Sequence, residues 1–401
     1  MRFSSKNHRW FVRPSLLLSL ALGCLLAALL FPARTAQAYP QFQFSSGTAR
    51  CAQCHYSPAG YGLLTSWGRD ESGDTISRGG DGAFLHGAWT PPDWLALGGD
   101  VRLAGLRNDV GGTRGPEYAG FPMQAELYGR AAFGDSGISL YVAGGVRGAT
   151  RASETGALIH STVPISREHY LMWKPSATGP YARLGRFYAP YGLRMAEHIY
   201  YVRRYTGFNL YEETYNLSGG YVDEDWEVHA TAFTKPPEGF PAALQSVGVR
   251  GQGGALYGEK RFAAMAAVGL QARVVVNSEQ RVSQGGAVGK VWVEKAKMLV
   301  MGELDLQRHD VAGGVAYNQL VSFAGLTFFP IKGLMAGIAA ERYQEDMRLA
   351  TTARNAFDLQ VNLFPWAHCE VFLLGRYQMS GGGSKDGDPG SLAMIQLHYY
   401  L

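Results

Sequence analysis

Cysteine is scarce: four residues in 401, Cys24, Cys51, Cys54 and Cys369. So few thiols exclude a disulfide-built secreted scaffold. Charge is scarce too, with Asp, Glu, Lys and Arg making up 17% of the chain against about 25% in ordinary globular domains. The formal net charge of +4 comes from the N-terminus, because Arg2, Lys6, Arg9, Arg13 and Arg34 are the five charged residues of the first 38; without them +4 − 5 gives −1. A nucleic-acid partner, which needs a basic patch on the mature domain, is thereby excluded. Beyond Phe31 no apolar run approaches the roughly 18 residues a spanning helix requires, so any membrane crossing in the body of the chain must be made by strands.

The first 38 residues read as a signal peptide. Basic residues precede an apolar run from Leu16 to Phe31, and Ala36-Gln37-Ala38 supplies a small-x-small cleavage site before Tyr39. The run is short for a membrane anchor. Cys24 follows Leu22-Gly23 as in a lipoprotein leader, but seven more apolar residues come after it, and it is expected to leave with the peptide.

From about residue 94 to the end the sequence alternates with period two. Phe357-Asp358-Leu359-Gln360-Val361-Asn362-Leu363 is the clearest stretch. Leu304 and Leu306 alternate with Glu303, Asp305 and Gln307 in the same way, as do Met123, Ala125 and Leu127 with Gln124, Glu126 and Tyr128. Sixteen strands are predicted, at about 94–106, 121–133, 137–147, 165–175, 179–188, 213–222, 225–234, 245–257, 262–275, 286–296, 298–308, 317–329, 333–343, 354–364, 368–379 and 391–401. Connections after even strands are short, such as Gly134-Asp135-Ser136 and Asp223-Glu224; those after odd strands are longer, notably 148–164, 189–212 and 380–390. An even strand count, with short turns at one end and long loops at the other, describes an all-β, 16-stranded antiparallel transmembrane β-barrel in outer-membrane lipid of a Gram-negative bacterium. The final strand ends at Leu401, where outer-membrane barrels usually end in Phe.

Residues 39–93 stand between leader and barrel and hold too few bulky apolar residues for a core of their own. They contain Cys51-Ala52-Gln53-Cys54-His55. Two thiols three positions apart can add to both vinyl groups of one haem, and the histidine after them can reach the iron. A zinc half-site would want a second Cys/His pair, and a thioredoxin-like pair would want a βαβ context; the sequence offers neither. One covalently attached haem c is therefore expected, held by Cys51 and Cys54 with His55 on the iron. It would give the segment the apolar surface it lacks, at the barrel rim or inside the lumen. His86 is the candidate second axial ligand, since 39–93 contain no Met; Met123 or His198 are the alternatives if the haem enters the lumen.

On this motif, and on Leu64-Thr65-Ser66-Trp67-Gly68-Arg69 after it, the chain resembles the fused cytochrome–porin family, the outer-membrane monohaem iron oxidases. Members carry a Leu-Asn-x-Phe-Gly-Arg-like sequence at that spacing. Here Thr65 replaces Asn, Pro58 stands closer to His55, and the Phe-Lys pair that tends to follow the arginine is absent. The resemblance implies a small monohaem cytochrome segment at 39–93 and a barrel at 94–401. It also implies electron exchange between an extracellular redox partner, ferrous iron among them, and a periplasmic electron carrier such as a soluble cytochrome. A solute porin whose haem segment is a plug, and a barrel that sheathes a separate multihaem cytochrome, are the competing readings.

Two further features stand out. Gly185-Arg186-Phe187-Tyr188-Ala189-Pro190-Tyr191-Gly192-Leu193-Arg194 opens the longest loop, which runs through His198 and Arg203. It is read as an external loop with its arginines paired to Glu197, Glu212 and Glu213, or as a segment folded into the lumen. His160, His169, His229, His309, His368 and His398 are scattered singly, and neither a nucleophile elbow nor a phosphate-binding loop is found.

Overall fold

The computed structural model describes residues 40–109, 115–152, 158–237, 248–381 and 390–401. The leader expected at 1–38 lies outside them. Sixteen strands form one closed antiparallel barrel in which β1 pairs with β16. They are β1 Leu95–Asp109, β2 Glu117–Ala132, β3 Ile138–Ala152, β4 Leu158–Trp173, β5 Gly179–Phe187, β6 Thr214–Val222, β7 Trp226–Thr234 and β8 Gln252–Phe262, then β9 Ala266–Val276, β10 Gln280–Val293, β11 Met298–Val311, β12 Tyr317–Ile331, β13 Leu334–Gln344, β14 Ala353–Trp366, β15 Cys369–Ser380 and β16 Gly390–Tyr400. Closure runs through ten register pairs from Asp100↔Tyr400 to Asp109↔Ser391, which leaves no edge strand with unpaired backbone groups.

The face each side chain takes is inverted relative to a soluble protein. In β7, Trp226, Val228, Ala230 and Ala232 point outward and are exposed, while Glu227, His229 and Thr231 are buried inside. The stretches that alternate most clearly in sequence do the same: Leu304, Leu306, Phe357 and Leu359 are exposed, and Glu303, Asp305, Asp358 and Gln360 are buried. An apolar outer wall this extensive is stable only against lipid. Trp94, Phe133, Trp173, Trp226, Phe262 and Trp366 are all exposed at the short-turn end of the wall, where an interfacial aromatic girdle belongs.

Strand bounds shift most at β3, β4, β8 and β10, the last beginning at Gln280 rather than 286. The region 148–164, read as a loop, continues the ladder of β3 and β4 from Gly148↔Thr162 to Ala152↔Leu158, in keeping with its β-branched Thr150, Ile159 and Val163. Strand β8 starts later and ends later than expected because its end, Gly258-Glu259-Lys260-Arg261-Phe262, reads as a charged turn in sequence; Glu259 and Arg261 in fact point inward and are fully buried.

The core of the molecule lies inside the lumen. Phe44 and Ala49 of the N-terminal segment pack with Leu193, Met195 and Tyr200 of the long loop and with Tyr257, Val288, Trp292 and Leu299 of the wall. Phe42 and Ile76 pack on Met335 and Phe364, and Leu63 packs on Tyr128, Tyr141 and Tyr170. Backbone hydrogen bonds from Arg78 to Phe364 and from Ala367 to Gly79 fasten the segment beside the β14–β15 turn, so it fills the short-turn half of the barrel. The barrel orientation is testable: cysteines placed at Asp135 or Asp223 are expected to resist an impermeant thiol reagent on whole cells, and one at Val315, exposed in the β11–β12 loop, to react. The opposite labelling pattern would invert the barrel.

Candidate haem-attachment site

Cys51–Cys54 forms a single helical turn, α1, and His55 leaves it in extended conformation. His55 pairs with Leu64 in an isolated antiparallel bridge. The segment then enters helix α2, Ser66–Asp74, whose N-cap is Thr65. The Thr65 hydroxyl accepts from the Gly68 amide at 3.1 Å and donates to the Gln53 carbonyl at 2.6 Å. Threonine thus caps α2, and it also ties α2 to α1. Gly68 is required where the helices touch, because a Cβ there would stand 2.3 Å from the Cys54 carbonyl oxygen.

Cys51 and Cys54 are unbridged. Burial, with Cys51 and Glu71 adding to it, pushes the Cys54 thiol up to about 12, the opposite of the acidic thiol that a dithiol redox pair needs. Among the described residues no three His, Cys, Asp or Glu side chains converge, so the zinc reading finds no further ligands. Both cysteines and His55 instead wall a cavity together with Phe42, Leu193, Arg50 and Arg194. It carries the marks of an anionic, partly apolar guest. Arg50 Nε and Nη1 and Arg194 Nε and Nη2 are buried and have no hydrogen-bond partner. The donor set, two thiols, one imidazole and cationic side chains, therefore fits a haem c.

The loop 188–213 lies inside the lumen, which settles the choice left open by its sequence. Gly192 N donates to Gln271 Oε1 at 3.1 Å, Leu193 N to Glu303 Oε2 at 2.8 Å, and Tyr191 Oη to Asp305 at 2.6 Å. These bonds pin the loop to the inner wall halfway up the barrel. A short helix, α3 (Tyr201–Arg204), follows, and the Tyr201 amide donates to Glu341. Two of its arginines take partners other than the expected glutamates. Arg194 pairs with Glu227 and Arg203 donates to the Met195 and Phe208 carbonyls, while Glu213 receives Arg167 and Glu212 accepts from the Asn209 and Gly248 amides.

A second, larger cavity of about 320 Å³ adjoins the first at His55 and Tyr61. Met123, His198 and Arg203 also wall it. Burial and then Arg203, Arg147, Arg204 and Arg102 lower the His198 imidazole to about 3, so it is neutral at physiological pH, the state in which an imidazole binds metal. His86 is elsewhere. Its Nε2 lies 3.1 Å from the Tyr399 hydroxyl and its ring packs edge-on to His368, at the rim formed by the end of β16 and the β14–β15 turn. It walls neither cavity that His55 walls.

The sequence reading missed the wall residues that serve this site. Glu227, Glu259, Arg261 and Lys290 form one buried network in which Lys290 reaches Glu259 Oε2 and Gln43 Oε1, both at 2.7 Å. The available signal was their place in the period-two pattern, on the polar face that closure turns inward.

No protein-family model matches the chain, and no curated protein matches it in sequence. Its fold matches solved porins. An anion-selective porin from Comamonas acidovorans superposes with a TM-score of 0.58 at 10% identity, over 77% of this chain and 99% of that one. OmpT of Vibrio cholerae gives 0.55 at 14% identity, over 78% and 99%, and Salmonella typhi OmpF gives 0.53 at 9%, over 77% and 97%. The architecture is that of outer-membrane porins.

Two substitutions test the site. His86→Ala is expected to leave the visible spectrum of the purified protein unchanged; conversion to a high-spin spectrum would return His86 to the iron. Gly68→Ala, which forces α2 off Cys54, is expected to lower haem content severalfold while the barrel still assembles, as read by heat-modifiable migration on gels.

Proposed function

We propose that this porin-fold barrel carries one haem c, attached through Cys51 and Cys54 with His55 on the iron, and exchanges electrons between an extracellular donor or acceptor and periplasmic carriers. Ferrous iron is one such donor, and a soluble cytochrome is the kind of carrier that would complete the path. The observation that carries this reading is the folding of Cys51-Ala52-Gln53-Cys54-His55 into the lumen, against a cavity whose arginines have unpaired donors. When bound, the haem supplies reversible one-electron chemistry.

The chain's own residues do the rest. Helices α1 and α2, joined through Thr65, hold both thiols in one turn with the imidazole directly after it. The Tyr61 hydroxyl donates to the Met195 carbonyl at 3.0 Å, so the long loop is latched over the segment and keeps bulk water from that side. The segment occupies the short-turn half of the barrel, within reach of a partner from the periplasmic side. An apolar band of about 25 Å is too long for one site to bridge unaided, so an external partner must enter from the long-loop end or pass its electrons through a further carrier.

A solute porin with a haem-bearing plug is the second reading. It is favoured by Arg102, Arg147, Arg167 and Arg203 in the wall of the larger cavity and by the likeness to a porin described as anion-selective. Proteoliposomes separate the two. Electron transfer predicts that pre-reduced protein is reoxidised by impermeant acceptors added on the long-loop side, alone or with a partner cytochrome, and that Cys54→Ser abolishes this. Anion flux through the oxidised protein with no electron exchange under any of these conditions would favour the plugged porin.

A further inference from the structure

Between the lumen-filling segment and β1 the chain runs Ala83-Phe84-Leu85-His86-Gly87-Ala88-Trp89-Thr90-Pro91-Pro92, without one Asp, Glu, Lys or Arg. The stretch before it, 70–81, carries Asp70, Glu71, Asp74, Arg78 and Asp81. Residues 85–90 are all exposed, Leu85 by 39% and Trp89 by 47%. A continuous exposed stretch that is apolar and uncharged marks a contact surface.

The path of the chain says what the surface meets. Gly80 passes beside the β14–β15 turn, where an added Cβ would stand 2.9 Å from Trp366 Cδ1 and 3.1 Å from the Ala367 amide nitrogen. The chain then crosses the rim. Along the end of β16, His398 and Tyr400 face the lumen and are buried, while Leu397 and Tyr399 face outward. His86 Nε2 lies 3.1 Å from the hydroxyl of that outward Tyr399, so 84–90 lap over the edge onto the lipid-facing side. Tyr399 pairs in register with Cys369 of β15 and Val101 of β1, which puts the crossing at the seam where the barrel closes. Trp366 and Trp94, both exposed members of the aromatic girdle, flank it.

The crossing is held firmly. Leu85 and His86 have φ of +51° and +54°, consecutive left-handed residues of a kind that persist only where the surroundings impose them. The His86 amide donates to the Ala83 carbonyl at 2.9 Å and the Ala88 amide to the Leu85 carbonyl at 3.1 Å. His368 bridges the stretch to the last strand, its ring nitrogens 3.1 Å from the Ala83 carbonyl oxygen and 2.7 Å from that of Tyr400. On the inner side Arg69 of α2 stacks over Phe84 at 5.3 Å, and Phe84 packs edge-on to Trp89. The bend thus connects the contents of the lumen to the outer wall.

We propose that residues 84–90 are an interfacial strap: Leu85 and Trp89 enter the headgroup region of the periplasmic leaflet, and this contact with phospholipid holds the end of the N-terminal segment against the rim. Tryptophan beside small and apolar residues suits that layer, where one edge of the indole is apolar and the N–H finds headgroup or water. A protein-docking patch would instead bring a polar rim with its own hydrogen-bonding groups. The strap is continuous with the girdle and needs no haem to form.

The test is photocrosslinking of the full-length protein in native outer membranes, with p-benzoylphenylalanine placed at Leu85 or at Trp89. Lipid-facing Leu397 serves as the positive control and Val315, in the β11–β12 loop, as the reference for the opposite end; assembly is checked by heat-modifiable migration. Both strap positions are expected to give phospholipid adducts, seen by intact mass, at a yield like that of Leu397 and severalfold above that of Val315. Adducts only to a protein would make the surface a docking site and overturn the proposal. So would adducts to lipopolysaccharide, or no lipid adduct at either position while Leu397 gives one. A second measurement reads the anchoring. The pair Leu85→Ser and Trp89→Ser is expected to leave the barrel assembled and to speed amide hydrogen exchange across 78–90 severalfold in phospholipid nanodiscs; exchange unchanged from wild type would contradict the anchoring role.

Discussion

A bilayer offers the backbone no hydrogen bonds, and that single constraint orders the rest of this molecule. Sixteen strands must close on themselves, and the pairing of β1 with β16 does so. Closure assigns one face of every strand to lipid and the other to the lumen, so Leu304 and Leu306 face out while Glu303 and Asp305 face in. Charged side chains are then concentrated where water is limited, and the lumen becomes the place where they must be paired.

The chain meets that demand by filling its own pore. Residues 40–93 and the loop 188–213 enter from opposite ends and join at contacts such as Tyr61 with Met195 and Ala59 with Arg194. Each brings polar groups that the wall answers, among them Gln43 to Lys290 and Glu259, Ser57 to Arg183, and Leu193 to Glu303. The apolar clusters thus lie in the lumen, and the buried ion pairs run mostly between wall strands, as from Arg261 to Glu227 and Glu259 and from Arg376 to Glu341. The cysteine cavity is one of the places where the pairing is left incomplete, at Arg50 and Arg194.

Much of this was legible in the sequence. The strand count and the short-turn side followed from period-two alternation and turn composition, because side chains that alternate between lipid and lumen write that period directly. Boundaries failed where inward charge interrupted the apolar rhythm, as at Glu259 and Arg261 of β8, or where β-branched residues carried β3 and β4 past the expected membrane band. The candidate attachment motif stands out for a different reason: the chemistry proposed for it is local, confined to five consecutive residues. What surrounds it is not local. Arg194, Glu227 and Lys290 come from the long loop, β7 and β10, and only the closed barrel brings them to Arg50. His86 was singled out because proximity in sequence was the available guide to a ligand; the fold places that residue at the rim beside His368 and Tyr399.

The central claim is that this lumen holds a covalently bound haem. The direct measurement is the intact mass of the protein purified from outer membranes of cells with haem-attachment machinery, taken after denaturation. The proposal predicts the mass of the chain from Tyr39 onward plus one haem, the haem mass being lost when Cys51 and Cys54 are both replaced by Ser. A folded, heat-modifiable barrel whose mass is that of the bare polypeptide would contradict it.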